Sequence, residues 1–286
     1  MVMEYNLCDY NTVSRLLNKH GFKFSKALGQ NFIIDESVCP QMADALNLNR
    51  KTAVLEIGPG IGVLTKELCK RAGKVAAIEL DKRLYPVLSE TLGAYGNFEL
   101  IEGDVMKLDL KKLIEEKLCG FESVKICANL PYYITSPVIM TLLENKLPVE
   151  EIVVMVQREA ADRLCAEAGT RESGAVSAAV QYYGRAEILF DVDRECFMPS
   201  PKVDSAVIKI TPYAEPKYAV DDEKTFFALV RAAFAQRRKT AVNSVSATLG
   251  IPKEKVAQAL SSLSLDVNIR AEKLTMENFV QLSKIL

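Results

Sequence analysis

The 286-residue sequence has no tryptophan, only one histidine and almost no net charge. A single histidine, His20, argues against a Ser-His-Asp triad and against a His-rich metal site. Because Asn18 and Lys19 precede it and a glycine follows, we interpret His20 as a solvated residue before a turn. The formal charge of −1 lacks the basic excess that nucleic-acid-binding proteins usually carry. If the partner is a nucleic acid, the positive charge that binds it must be local.

The chain also lacks paired cysteines and long apolar runs. Its seven cysteines include no C-x-x-C pair, and several lie within apolar segments. They predict reduced thiols of a cytoplasmic protein, with no zinc site, disulfide framework or other metal. No apolar run of about 18 residues is present, which argues against a membrane-spanning helix. Glu4 and Asp9 near the N-terminus argue against a signal peptide.

Hydrophobic residues make up 49% of the chain, enough for a sizeable core. Between residues 51 and 210, short apolar runs alternate with helical patterns, which predicts buried strands of a mostly parallel sheet. The expected strands are residues 52–57, 74–79, 98–101, 124–128 and 152–156. Two later segments, 187–192 and 205–210, fit a closing antiparallel hairpin. Ser136 followed by Pro137 predicts the start of a helix.

The character of the chain changes at Pro212. A linker rich in proline and charge follows, and then four helical patterns broken by glycine, proline and asparagine. The expected helices are residues 225–235, 241–249, 253–263 and 275–286. We therefore predict two domains: a Rossmann-like α/β domain over residues 1–212 and a small all-helical domain over residues 213–286.

Three expected strands end in groups that suit a nucleoside cofactor. The sequence VLEIGPGIG places Gly58 and Gly60 after the first strand, where the backbone must turn sharply and approach a ligand closely. Glu79 ends the next strand, where an acid can accept hydrogen bonds from ribose hydroxyls. Asp104 follows the third strand and is placed to reach an adenine edge. Together they indicate a cofactor that contains adenosine and leave a nicotinamide cofactor open.

The fourth strand runs into NLPYYITSP, residues 129–137. This segment resembles the N/D-P-P-Y motif of amino-methyltransferases, with Leu130 in the second position. The N6 amine of adenine is a poor nucleophile because its lone pair is delocalised into the ring. The side-chain oxygen of Asn129 and a nearby backbone carbonyl can accept hydrogen bonds from the two N–H groups of this amine. These hydrogen bonds expose the lone pair, so no strong base is required. We expect Tyr132, which follows Pro131, to stack on the target base.

Three further segments supply candidate contacts. In CFMPSPKVDSAV, Phe197 lies on a proline-stiffened turn and is placed to hold a base that has left its stack, opposite Tyr132. In FSKALGQNFIID, Gln30 and Asn31 precede the first strand and are placed to fold over the cofactor. The segment VRAAFAQRRKT has no acid and four cations, which are Arg231, Arg237, Arg238 and Lys239. They form the local basic patch that RNA binding requires, although a solvated helix end that complements the helix dipole has the same pattern.

Taken in order, KALGQNF, EIGPGIG, EGDV, NLPYYITSP, FMPSPKVDSAV and FAQRRKT resemble the ribosomal RNA adenine dimethyltransferase family over about residues 24–286. The resemblance implies a class I methyltransferase sheet and S-adenosylmethionine as the methyl donor. It implies that the donor is contacted by Asn31, Ile33, Gly58, Glu79, Asp104 and Asn129, and we add Gly60 from the glycine loop. It also implies a catalytic loop of Asn129, Leu130, Pro131 and Tyr132, with Phe197 holding the base.

Within the family, the sequence looks like the bacterial small-subunit type. This implies N6,N6-dimethylation of two adjacent adenosines near the 3′ end of small-subunit ribosomal RNA, within a pre-30S particle, by a monomer. Two alternatives stay open. A large-subunit enzyme that confers macrolide resistance shares every catalytic motif. A binding protein that serves as an assembly checkpoint is the other, although the intact loop at residues 129–132 argues against a purely non-catalytic role.

Overall fold

The computed structural model describes residues 5–25, 28–215 and 217–286. Lys26 and Ala27 of the KALGQNF motif lie outside the described residues. The chain divides into two compact units, the first formed by Met1–Ala161 with Glu187–Thr211 and the second by Asp162–Ala186 with Pro212–Leu286. One of these divisions lies between Thr211 and Pro212, one residue before the boundary proposed from the sequence. However, Asp162–Ala186 belongs to the second unit, whereas the sequence analysis had placed it in the first domain.

A seven-stranded sheet forms the centre of the first unit. In chain order the strands of the molecule are β1 (Phe32–Ile33), β2 (Thr52–Ile57), β3 (Lys74–Glu79), β4 (Phe98–Glu102), β5 (Ser123–Asn129), β6 (Glu151–Gln157), β7 (Gly184–Val192), β8 (Phe197–Met198) and β9 (Ser205–Pro212). The sheet order is β4-β3-β2-β5-β6-β9-β7. Neighbours from β4 to β6 are parallel, and β9 runs antiparallel to β6. The predicted α/β fold with a mostly parallel, Rossmann-like sheet and a late antiparallel part is confirmed.

The register of the sheet aligns the carboxyl ends of its central strands. Every residue of β2 is buried, as expected for a central strand covered on both faces. Ile57 at its end stands beside Ile78 of β3 and Ala128 of β5. Glu79 and Asn129, the last residues of β3 and β5, therefore lie at the same edge as the glycine loop after β2. Ligands bind outside this edge in open parallel sheets.

A separate two-stranded antiparallel sheet pairs β1 with β8. Phe32 stands opposite Met198, and Ile33 stands opposite Phe197. The N-terminal segment and the CFMP segment, far apart in sequence, are thereby held together beside the main sheet.

Helices of the first unit connect and cover the strands. They are α1 (Tyr10–Lys19), α2 (Val38–Asp44), α3 (Val63–Arg71), α4 (Tyr85–Leu92), α5 (Leu110–Lys117) and α6 (Thr135–Glu144), and α7 (Arg158–Cys165) leads towards the second unit. The start of α6 corrects a prediction, because it begins at Thr135 with Ile134 in the cap position, so Ser136 is not its cap. A one-turn 3₁₀ helix, Tyr132–Ile134, runs directly into α6 and moves its start forward.

Helix α1 packs on α4, and Val13, Leu16 and Leu88 share a buried cluster. At the edge of this cluster, Glu90 accepts hydrogen bonds from Tyr5, from Lys19 at 2.6 Å and from His20 at 2.8 Å. The interpretation of His20 as a solvated residue is therefore wrong, since its side chain is only 17% exposed. Its partner lies 70 positions away in the chain.

The second unit is helical. It contains α8 (Ala175–Tyr183), α9 (Glu223–Phe234), α10 (Ala241–Leu249), α11 (Lys253–Ser262) and α12 (Met276–Ile285). Tyr182 of α8 packs against Phe226 and Phe227 of α9 at centroid distances of 5.2 and 5.1 Å, and Tyr183 stacks on Phe227 at 5.4 Å. This aromatic packing is the physical reason that α8 belongs to the helical unit. In the described residues, no helix is long and apolar enough to span a membrane.

Candidate active site

A cleft opens at the carboxyl ends of the parallel strands. Its walls come from the loops after β2, β3, β4 and β5, from residues 28–33 and from Phe197. It brings together all the predicted donor and catalytic residues, which are Asn31, Ile33, Gly58, Gly60, Glu79, Asp104, Asn129, Leu130, Pro131, Tyr132 and Phe197. The four basic residues do not line this cleft.

The glycine loop after β2 presents backbone without a side chain at two positions of the cleft wall. Gly58 and Gly60 adopt φ angles of +71° and +60°, which residues other than glycine rarely adopt. A Cβ atom at Gly60 would lie 3.2 Å from the Phe32 ring. The Gly58 amide donates to the carbonyl of Ile78 at 2.9 Å, which ties the loop to β3. A ligand can therefore approach this backbone closely.

Glu79 is a buried acceptor at the end of β3. Its side chain is 7% exposed, and it receives hydrogen bonds from the backbone amides of Asp81 at 2.8 Å and Gly60 at 3.3 Å. Burial raises the pKa of Glu79, whereas the two amides favour its charged form. The hydrogen bonds fix the carboxylate, and its remaining acceptor capacity can serve ligand hydroxyls.

Asp104 lies in the loop after β4 and is less enclosed. Its Oδ1 accepts from the amide of Met106 at 3.0 Å, and its Oδ2 lies 3.5 Å from the ammonium of Lys107. The side chain is 26% exposed. It lines the cleft and also holds the turn of its own loop.

Glu56 is a cleft residue that the sequence analysis missed. It lies in β2 two residues before Gly58, and its side chain is 1% exposed. Neither carboxyl oxygen has a hydrogen-bond partner among the residues that the structure describes. Burial raises its pKa to about 8. The signal was available, since an acid interrupts the apolar strand TAVLEI.

The orientation of Asn129 is set by the N-terminal segment. Its Nδ2 donates to the carbonyl of Asn31 at 3.3 Å, and Asn31 donates in turn to the carbonyl of Gly29 at 3.3 Å. The nitrogen is thus occupied as a donor, and Oδ1 is available as an acceptor. The next residue, Leu130, is 1% exposed and donates its amide to Met155 of β6 at 3.2 Å. The loop is therefore anchored on both sides.

Two aromatic side chains enclose part of the cleft. The hydroxyl of Tyr132 lies 2.8 Å from Oγ of Ser205, a hydrogen bond that fixes the ring, and burial raises its pKa. Phe197 is only 3% exposed and also packs in the main hydrophobic core. It is both a core residue and a wall of the cleft.

The described residues that line the cleft include no cysteine. Cys127 lies in β5 two residues before Asn129, is fully buried, and has a pKa well above its usual value because of that burial. It is therefore unsuited to act as a thiolate nucleophile. Among the described residues, no group of three or more His, Cys, Asp or Glu side chains is placed to hold a metal ion.

The basic cluster lies in the second unit. Arg231 is on α9, whereas Arg237, Arg238 and Lys239 lie in the turn between α9 and α10, after α9 ends at Phe234. All four are exposed, and none forms an ion pair with an acid in the described part of the chain. Ser244 fixes this turn by accepting from Gln236 at 3.1 Å and donating to the Ala232 carbonyl at 2.7 Å.

Comparison with known proteins gives consistent results. The family model for ribosomal RNA adenine dimethylase matches residues 21–286. A protein from Alkaliphilus oremlandii is 48% identical over 265 residues, 92% of each chain, and one from a Geobacillus species is 46% identical over 274 residues, 95% of this chain and 94% of the other. Both are named ribosomal RNA small subunit methyltransferase A.

Solved structures agree with this relationship. A dimethyladenosine transferase from Plasmodium falciparum superposes with a TM-score of 0.71 at 26% identity, over 88% of this chain and 95% of the other. The 23S rRNA methyltransferase ErmE superposes with a TM-score of 0.66 at 26% identity, over 89% and 99%. The chain therefore belongs to the ribosomal RNA adenine dimethylase family of S-adenosylmethionine-dependent methyltransferases.

Proposed function

We propose that this protein transfers methyl groups from S-adenosylmethionine to the N6 amines of two adjacent adenosines near the 3′ end of small-subunit ribosomal RNA. The product is N6,N6-dimethyladenosine, formed during ribosome biogenesis. The observation that carries the proposal is the side-chain amide of Asn129, whose nitrogen donates to the Asn31 carbonyl at 3.3 Å and so leaves its oxygen to serve as the acceptor. The relatives named as small-subunit enzymes support the choice of RNA.

The cleft fits the donor at its strand ends. Glu79 offers a fixed, buried carboxylate for the ribose hydroxyls, and Gly58 and Gly60 leave room for close backbone contact. Asp104 is assigned to the adenine edge, and Asn31 and Ile33 to the remainder of the donor. When bound, S-adenosylmethionine supplies an electrophilic methyl group on a sulfonium. These assignments rest on the shared lining of one cleft.

Asn129 and its neighbours act on the amine. The Asn129 oxygen and a backbone carbonyl of the loop accept hydrogen bonds from the two N–H groups of the amine. These hydrogen bonds draw the nitrogen towards tetrahedral geometry. Because the Asn129 side chain is held in place before substrate arrives, little reorganisation of it is needed in the transition state. Tyr132 and Phe197 hold the base between them, and Leu130 and Pro131 hold the loop. Both acceptors bind the amine in the first methyl transfer. In the second transfer the nitrogen has only one N–H group left, so it donates a single hydrogen bond.

The basic cluster is assigned to RNA phosphates. Arg237, Arg238 and Lys239 are exposed cations on a fixed turn, and Arg231 is a weaker candidate on the preceding helix. They supply the local positive charge that a chain of net charge −1 needs. We further propose that the protein acts as a monomer on a pre-30S particle in the cytoplasm. Light scattering of the purified chain, alone and with unmodified small subunits, measures its molar mass and so tests whether it is a monomer.

Methylation of large-subunit RNA is the second candidate, because the 23S rRNA methyltransferase ErmE shares the fold at 26% identity. The experiment that separates the candidates supplies labelled donor together with unmodified small or large subunits. The RNA is then digested and the modified nucleoside identified by mass spectrometry. We expect N6,N6-dimethyladenosine in small-subunit RNA only.

Other products of that experiment would contradict the proposal. Label in large-subunit RNA would favour the second candidate, and 5-methylcytosine or 1-methyladenosine would exclude the amine chemistry. The third alternative, a purely non-catalytic assembly factor, predicts binding without any label. The Asn129→Ala variant serves as the matched control for catalysis, because it leaves the rest of the cleft in place.

A further inference from the structure

One aromatic residue at the cleft has no role in the function proposed above. Tyr133 follows Tyr132 in the 3₁₀ helix Tyr132–Ile134 and lines the cleft, yet it is 55% exposed. Tyr132 is half-buried and Phe197 is buried in the same cleft. Phe32 is buried there as well, so the cleft has three inner aromatic rings and one outer ring, and the outer ring presents much of its surface to water.

The outer ring has a defined position. A Cβ atom at Gly29 would lie 3.4 Å from Cδ1 of Tyr133 and 3.6 Å from Cβ of Pro131. Gly29 has a φ of +57°, so the N-terminal segment turns at the point where it contacts the ring. Gly29 therefore lies close to one part of Tyr133, and much of the rest of the residue is exposed to solvent.

A second exposed apolar residue also lines the cleft. Leu80, which follows Glu79, is 47% exposed. Exposed apolar surface beside a cleft is typical of a site where a ligand covers it. A single-stranded nucleic acid suits an exposed aromatic ring, because every base has a face that can stack on it.

We propose that Tyr133 is the stacking platform for the nucleotide next to the target adenosine. The inference rests on the proposed function, in which two adjacent adenosines are modified by one cleft. While one adenosine lies in the cleft, its neighbour stands at the mouth, beside the residue that directly follows Tyr132. A platform there orients the backbone for the first base and keeps the second in reach of the cleft.

The test compares variants of the full-length protein on unmodified small subunits. Tyr133→Ala removes the ring, Tyr133→Phe keeps it, and Tyr10→Ala removes an equally exposed tyrosine (58%) that does not line the cleft. Stacking of one base is worth roughly 1–3 kcal/mol, so we expect Tyr133→Ala to lower kcat/KM for the RNA by roughly 5- to 150-fold. Tyr133→Phe and Tyr10→Ala should stay within about twofold of the parent protein, and donor affinity measured by calorimetry should not change in any variant.

A second arm removes the neighbouring base instead of the ring. Small subunits are reconstituted with RNA that carries an abasic sugar in place of the adenosine beside the target. The parent protein should lose about as much activity on this RNA as Tyr133→Ala loses on normal RNA, and the two changes together should cost little more than either alone. If Tyr133→Ala does not fold, Tyr133→Leu replaces it in both arms, and an undiminished rate of the parent protein on the abasic RNA still overturns the platform.

The outcomes separate the inference from the function on which it rests. If the parent protein forms no dimethyladenosine on normal subunits, the proposed function fails. If the parent protein is active and methylates the abasic RNA as fast as normal RNA, the proposed platform is wrong. It is also wrong if Tyr133→Ala has the same kcat/KM as Tyr10→Ala. A loss in Tyr133→Ala that comes with weaker donor binding and is not restored by Tyr133→Phe shows a structural role only and also overturns it.

Discussion

The cleft of the first unit and the basic cluster of the second are both assigned to RNA, but they are built in opposite ways. The cleft gathers residues from 31 to 197 and fixes them by burial and hydrogen bonds. The cluster is nearly continuous in sequence, and its cations are exposed without ion pairs to acids of the described residues. Buried, oriented groups can select a reaction, whereas exposed charge supplies affinity that depends on salt. Chemistry and affinity should therefore be separable by mutation.

The largest effect should follow from Asn129→Ala. Removing one prepositioned hydrogen-bonding group from a transition state typically lowers kcat by about 100- to 1000-fold. Single-turnover methylation measures this loss, and RNA affinity and its salt dependence should be unchanged. Asn145→Ala, at the exposed end of α6, is the control. Retention of full activity in Asn129→Ala would remove the central argument for amine activation.

The next effect concerns the cluster alone. Changing Arg237, Arg238 and Lys239 together to Ala should weaken RNA binding strongly at low salt. Each lost phosphate contact flattens the plot of log affinity against log salt by roughly 0.7–0.9, so the slope should fall by about two units or more. Donor affinity should not move. Lys253→Ala with Lys255→Ala, two exposed cations of the same unit, is the control.

A different result would support the rival account of the cluster. If the cations only complement a helix dipole, the triple variant loses a little thermal stability and keeps its salt slope. Binding isotherms at several salt concentrations distinguish the two accounts.

A third, smaller effect tests the assignment of Glu79 to the ribose hydroxyls of the donor. Glu79→Ala removes an acceptor whose hydrogen bonds are worth roughly 1.5–3 kcal/mol each, so donor affinity should fall at least tenfold. Calorimetry with the folded variant measures it. Glu102→Ala is a matched control, because Glu102 stands beside Glu79 in the sheet register but is exposed and does not line the cleft. Equal affinities in the two variants would refute the ribose assignment.

The smallest effect distinguishes the two buried carboxyls of the cleft. Glu56, unlike Glu79, has no hydrogen-bond partner among described residues, and burial raises its pKa from 4.5 to about 8. The folded state then holds its proton more tightly than the unfolded state, so stability falls as pH rises from about 5 to 8. Glu56→Gln removes this dependence. In thermal melts from pH 5 to 9, its Tm should rise relative to the parent protein by several degrees, at roughly 2–4 °C per kcal/mol. Parallel curves would show that Glu56 does not ionise in this range.

Most of the sheet and of the cleft could be predicted from the sequence, because both depend on local patterns: an apolar run for each strand and a functional group after its end. Apolar runs predicted the strands, and the groups after each strand met at one edge because parallel strands share their direction. Partners distant in sequence were not predictable in this way. The hydrogen bond between His20 and Glu90 and the packing of Tyr182 on Phe226 arise only in the folded chain. Glu56 was not predicted because it lies within a buried strand, whereas the predicted cleft groups stand at or after the strand ends.

The pairing of β1 with β8 also bears on the order in which the protein is completed during its own synthesis. Phe32 emerges early, but its partner Met198 is made much later. At roughly 5–20 residues per second, the interval between them lasts several seconds or more. During that time the glycine loop and Glu79 already exist, while the wall that contains Phe197 does not. A nascent chain therefore cannot complete the wall that holds the target base until nearly the whole first unit has been translated, although the residues assigned to the donor are made well before that point.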